Sequence, residues 1–143
     1  MANKSVSEIQ NRVEKALDNN LSAFRITNND GVALENVIVS DQDLSSEALS
    51  FTTTESSPFK IAYINFNFST AVTQTITITK LTGIANKDEI LEKQELTANT
   101  SARFVSIANI LIDPTIGEQL EISVTNTGTP SSTIYTTLKI ERV

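Results

Sequence analysis

The chain contains no cysteine, no histidine and no tryptophan, and it has only four glycines, three prolines and one methionine in 143 residues. Without cysteine there is no disulfide framework, no thiol nucleophile and no thiolate metal site. Small secreted domains often carry bridges, so this absence favours a reducing compartment. Without histidine, the commonest general base near neutral pH and a common zinc ligand are also missing. Positive charge is sparse as well: 11 Lys and Arg stand against 17 Asp and Glu, for a formal net charge of −6. The basic residues are scattered from Lys4 to Arg142. Nucleic-acid binding needs clustered cations to displace counterions from phosphate, so no nucleic-acid partner is expected. The apolar runs are a few residues long, far short of the roughly 20 needed to cross a bilayer. Residues 1–20 lack the apolar core of a signal peptide. The expectation is a soluble protein with no membrane partner, used or assembled where it is made.

What the chain does have is alternation. Ala62, Ile64, Phe66 and Phe68 take every second position, residues 69–74 break the pattern, and Ile76 and Ile78 resume it between Thr75, Thr77 and Thr79. A period of two sends side chains to opposite faces of an extended backbone, which predicts a hairpin over 59–79 with one face on a core and the other in water. Further strands are expected at 21–27, 32–39, 48–54, 90–96, 102–107, 119–125 and 133–140, the last with Ile134, Leu138 and Ile140 on one face. The turn at Asn28-Asn29-Asp30-Gly31 suits residues that tolerate positive φ. Residues 40–47 read as a polar, acidic loop. The predicted fold is all-β, an antiparallel two-sheet sandwich of jelly-roll or Ig-like type spanning 21–143. A chain this long buries roughly 68–70% of its unfolded surface, enough for one core.

One segment does not read as a strand. Val6, Ile9, Val13, Ala16 and Leu17 fall on a single stripe at three- and four-residue spacing, which predicts an N-terminal amphipathic helix over 5–19. Ser5 with Glu8 forms a capping box, Glu8 and Arg12 make a favourable pair, and Asn19-Asn20 supplies the stop. Residues 1–20 are therefore expected to form a helical arm with Val6, Ile9, Val13 and Leu17 as its interaction residues. Burying those four side chains contributes about 6–12 kcal/mol gross, whether the arm docks on its own sheet or on a neighbouring subunit.

Candidate chemistry is thin. Asp30 with Asn28 and Asn29, Asp41 with Asp43, and Asp88 with Glu89 are the acidic patches, and none matches the spacing of a calcium loop, which gathers roughly six to eight oxygens. The six Phe and two Tyr all fall in segments read as strands, where core packing is the commoner use. The Thr75, Thr77, Thr79 row reads as a solvated sheet face, with an ice- or glycan-binding array as the sharper alternative. No catalytic residue, metal site or cofactor is expected, and the chain does not read as an enzyme.

From position 59 onward, the order of elements resembles small β-sandwich virion structural proteins of tailed bacteriophages, of the head decoration or cement type. The resemblance is carried by Phe59-Lys60-Ile61-Ala62-Tyr63-Ile64-Asn65-Phe66 opening a strand and by Thr75-Ile76-Thr77-Ile78-Thr79 after the turn. A polar excursion to Ile90-Leu91 follows, then Gly117-Glu118-Gln119-Leu120-Glu121-Ile122-Ser123-Val124-Thr125-Asn126 before a closing strand rich in Thr. It implies a capsid protein of the virion, made in a bacterial host cytoplasm. Such a protein binds the outside of a phage head, through the major capsid protein or another virion protein, as a homo-oligomer with a trimer favoured. The alternative is a tail, fibre or neck recognition module that binds a host glycan or another virion protein.

Overall fold

The computed structural model describes residues Asn36–Val143. The expected helical arm, the strand at 21–27 and the turn at 28–31 lie outside the described residues. Among the described residues are nine strands: β1 (Asn36–Asp43), β2 (Leu49–Thr52), β3 (Phe59–Val72), β4 (Thr75–Leu81), β5 (Glu89–Glu95), β6 (Asn99–Phe104), β7 (Leu111–Ile112), β8 (Gln119–Val124) and β9 (Thr133–Arg142). A single 3-10 turn, Pro114–Ile116, separates β7 from β8.

The strands form two antiparallel sheets. Sheet 1 runs β1-β9-β3-β6, with β7 also paired to β3, and sheet 2 runs β2-β8-β4-β5. Only the β4–β5 and β6–β7 connections stay within one sheet; every other connection carries the chain across to the opposite layer. The two layers share one apolar core. Phe59, Ile61, Ile64, Phe66, Ile134, Leu138 and Ile140 come from sheet 1, while Leu49, Ile76, Ile78, Leu120, Ile122 and Val124 come from sheet 2. Phe66 and Phe104 meet edge to face, with centroids 5.7 Å apart and rings at 87°, the offset geometry that aromatic quadrupoles favour.

Three sequence expectations need correction. The segment 59–79 is not a hairpin: β3 belongs to sheet 1 and β4 to sheet 2, so Thr73-Gln74 bridges the layers. Residues 40–47 are not a loop throughout, because β1 continues to Asp43 and Leu44 is wholly buried. The apolar phase of β3 also shifts midway. Ile61 pairs with Ile140 and Tyr63 with Lys139, leaving Ala62 as the extra residue of a bulge. Inward positions are therefore Phe59 and Ile61 before the bulge, and Ile64, Phe66 and Phe68 after it. A bulge adds one residue to one strand and reverses which side chains face the core.

Buried polar groups extend the pairing within each sheet at its ends. Thr53 Oγ1 accepts from Leu120 N at 3.0 Å, extending the β2–β8 ladder by a side chain. Ser132 Oγ accepts from Thr70 N at 3.2 Å and donates to Thr70 O at 3.0 Å. Such pairing removes the penalty for taking polar atoms out of water.

Candidate functional site

The two outer faces differ in chemistry. On sheet 2, the cross-strand rows are Ser50, Ser123, Thr77 and Lys93, then Thr52, Glu121, Thr79 and Ile90. This face is lined by hydroxyls, and Thr75, Thr77 and Thr79 point outward from β4, half-buried, while Ile76 and Ile78 are in the core. One of its two edge strands, β5, carries Glu89, Glu92, Lys93 and Glu95. Charges of that density discourage strand addition.

The outer face of sheet 1 is of another kind. Its rows are Val37, Lys139 and Tyr63; Val39, Thr137, Asn65 and Arg103; and Asp41, Tyr135, Asn67 and Ser101. Val37 is 57% exposed, Val39 68% and Tyr135 46%. The Arg103 guanidinium carbon lies 4.3 Å from the centroid of the Tyr63 ring, and Lys139 Nζ lies 5.7 Å from it. A cation over an aromatic face contributes about 0.5–1 kcal/mol at an exposed site, so the ring is held in place between strands. Tyr and Arg are the residue types that dominate binding energy at protein interfaces, whereas scattered surface aliphatics are ordinary. Here the aliphatic, aromatic and cationic groups adjoin one another in consecutive rows on a rigid sheet.

The aromatic residues therefore divide between two uses. Phe59, Phe66, Phe68 and Phe104 are buried as expected, but Tyr63 and Tyr135 stand on the outer face. The expected interaction residues Val6, Ile9, Val13 and Leu17 lie outside the described residues. Sequence reading passed over Val37 and Val39, although the β-branched run Val37-Ile38-Val39 signals a strand that is apolar on both faces. It missed the Tyr63 cluster because Arg103 and Lys139 reach that ring from β6 and β9, strands brought beside β3 only by the fold.

One carboxylate of each described acidic patch caps a turn. Asp43 Oδ1 accepts from Ser45 Oγ at 2.8 Å and from Ser45 N at 2.9 Å, which holds its carboxyl below the ordinary value. Asp88 Oδ1 accepts from Thr82 N at 2.9 Å, and Asp113 Oδ1 caps the 3-10 turn through Thr115 N at 3.0 Å. Asp30 lies outside the described residues. Among the described residues, no group of three or more His, Cys, Asp or Glu side chains is placed to hold a metal ion, and no helix is long and apolar enough to cross a membrane. Two small surface hollows sit at opposite ends of β4. One, of about 300 Å3, lies by Leu81, Gly83, Ile84 and Gly117, and the other, of about 230 Å3, lies by Thr75 and Glu95.

No family model matches the chain, and no curated protein matches it. Among solved structures, it is similar to a mitogen derived from Yersinia pseudotuberculosis, with a TM-score of 0.39 and 5% identity over 76% of this chain and 86% of that one. It is similar to the Drosophila NLP core, whose structure concerns pentamer formation and histone binding, with a TM-score of 0.37 and 6% identity over 74% of this chain and 98% of that one. It is also similar to a chain of infectious bursal disease virus, Gx strain, with a TM-score of 0.33 and 16% identity over 78% of this chain and 39% of that one.

Proposed function

We propose that the chain is a structural virion protein, a decoration or cement protein that binds the outside of a tailed-phage head as an oligomer and stabilises it without turnover. In this reading the eight longer strands form a jelly roll. Sheets ordered β1-β9-β3-β6 and β2-β8-β4-β5 are what two interleaved Greek keys produce, an arrangement used by capsid and lectin domains alike. The observation that carries the proposal is the asymmetry between the outer faces. One is mainly hydroxylic, with Ile90 its one large exposed aliphatic and a charged edge strand, and the other presents Val37, Val39 and Tyr135 beside the clamped Tyr63 ring. Docking through the second face buries apolar and aromatic surface on an inflexible platform, the requirement for adding cohesion to a shell. The resemblance noted from position 59 onward points the same way and supplies the trimer as the favoured oligomer. The partners are a second copy of the chain and the major capsid protein or another protein of the particle.

The test is mass spectrometry of density-purified particles from a lysate of cells that make the chain, together with sedimentation of the purified chain. The expected results are its peptides in intact heads and an oligomer in solution. Val39→Glu and Tyr135→Glu are expected to abolish incorporation while leaving the β-sheet circular dichroism unchanged. A chain confined to the soluble fraction, or incorporation indifferent to both substitutions, overturns the proposal.

A further inference from the structure

Where β4 begins, the ends of β5 and β8 and the residues that follow them border the open hollow of about 230 Å3, lined by five threonines with Gln74, Glu95 and Leu96. Its framework is fixed by internal bonds. Gln74, 5% exposed, donates from Nε2 to Thr127 O at 2.8 Å, and its Oε1 accepts from Thr127 N at 2.8 Å and from Thr125 Oγ1 at 2.7 Å. Thr125 Oγ1 in turn accepts from Thr75 N at 2.9 Å, and Thr73 Oγ1 accepts from Ala98 N at 3.1 Å. These bonds fill both acceptor positions of the Gln74 amide oxygen and one of its two N–H donors, and they tie the three strand ends together. The hydroxyls of Thr75, Thr97 and Thr127 and the carboxylate of Glu95 have no hydrogen-bond partner among the described residues, and Thr75 sits directly opposite Glu95 in the β4–β5 register.

The lining narrows the class of ligand. It contains no Lys or Arg, so an anion would meet Glu95 without a compensating cation. It contains one carboxylate, too few for a hard metal ion. Its one large aliphatic, Leu96, is 2% exposed and offers little to an apolar guest. What remains are hydroxyls that both donate and accept, a carboxylate that accepts twice, and threonine methyls between them. The volume lies below the roughly 300–1,000 Å3 of pockets for drug-sized ligands, so it suits a single small ring.

We infer that this hollow binds one neutral, hydroxyl-rich ring, the chemical class of an uncharged monosaccharide unit. Thr75, Thr97 and Thr127 exchange hydrogen bonds with its hydroxyls, and Glu95 accepts from a vicinal pair. The site lies on other residues than the sheet 1 face and holds whether or not the chain is part of a particle.

The test is amide NMR of the full chain titrated with methyl glucoside, galactose and N-acetylglucosamine, with N-acetylneuraminic acid as the anionic control. At least one neutral sugar is expected to give saturable millimolar shifts confined to Thr73, Thr75, Glu95, Thr97 and Thr127, while the acidic sugar gives none. Glu95→Gln and Thr75→Val are expected to weaken that response about tenfold with the rest of the spectrum unchanged, reflecting the loss of a charged and a neutral hydrogen bond. No saturable shift with any neutral sugar overturns the inference. So does an equal response to the acidic sugar, or binding indifferent to both substitutions.

Discussion

Lys80 and Glu118 form an ion pair of 3.1 Å at one end of the core, with side chains 20% and 15% exposed, and each partner also reaches toward the opposite layer. Lys80 Nζ donates to Leu111 O at 3.2 Å, and Glu118 Oε2 accepts from Asp113 N at 2.9 Å. A strand of sheet 2 is thereby tied to β7, which belongs to sheet 1. Lys80→Met keeps the aliphatic stem but leaves Glu118 and the Leu111 carbonyl short of a donor. It is expected to cost about 2 kcal/mol, read as a lower urea midpoint at unchanged slope. An unchanged midpoint would show that the pair contributes nothing.

Thr136 offers the opposite case. It lies inward on β9 between Ile134 and Leu138, 2% exposed, and its hydroxyl has no hydrogen-bond partner among the described residues. Thr136→Val replaces that hydroxyl by a methyl of similar shape and is expected to raise stability by about 1 kcal/mol. A thermal midpoint that falls instead would mean that the hydroxyl is satisfied in solution.

Gly83 and Gly128 separate two costs of a side chain. Both have positive φ, +72° and +74°, but a Cβ on Gly83 would meet the Gly117 carbonyl oxygen at 3.0 Å, while one on Gly128 meets nothing within 4 Å. Gly128→Ala is expected to cost about 1 kcal/mol from backbone conformation alone, and Gly83→Ala about 2–3 kcal/mol because the two loops must part as well. Equal losses on denaturation would remove the steric part of the argument.

Asp43 predicts an acid-side dependence. The Ser45 hydroxyl, and after it the Ser45 backbone N–H, favour the ionised carboxyl and lower its pKa from the ordinary 3.8. The contribution is therefore complete above the unfolded value and is lost as the pH falls through the lower, folded one. Carboxyl NMR is expected to place the Asp43 midpoint below 3.8, and Ser45→Ala to return it toward that value. A midpoint already at the ordinary value would contradict the capping role.

Much of the strand content was legible because burial and spacing agree. Ile76 with Ile78, and Ile134 with Leu138 and Ile140, are all inward and fully buried, as period two requires. Partner choice was not legible, since an antiparallel hairpin and an arch between layers both read as alternation, polar break, alternation. One local sign did distinguish them. A two-residue hairpin loop wants Gly, Asn or Asp at positive φ, and Thr73-Gln74 has neither those residues nor that conformation. The polar end of β1 was hidden because an edge strand beside β9 alone needs few apolar residues. The sheet 1 face was hidden because its composition depends on which strands lie side by side, which tertiary pairing sets.

The position of β9 bears on how the molecule is made. Thr133–Arg142 lies between β1 and β3 and hydrogen-bonds to both, so neither of those strands touches the other. On a ribosome, residues 36–132 can gather sheet 2 but must wait for the last ten-residue strand to emerge before the first layer can close. Contacts this distant along the chain make for slow, post-translational assembly, with apolar surface uncovered in the interval. Newly made copies are thus at their most aggregation-prone until Thr133–Arg142 has left the ribosome and paired with β1 and β3.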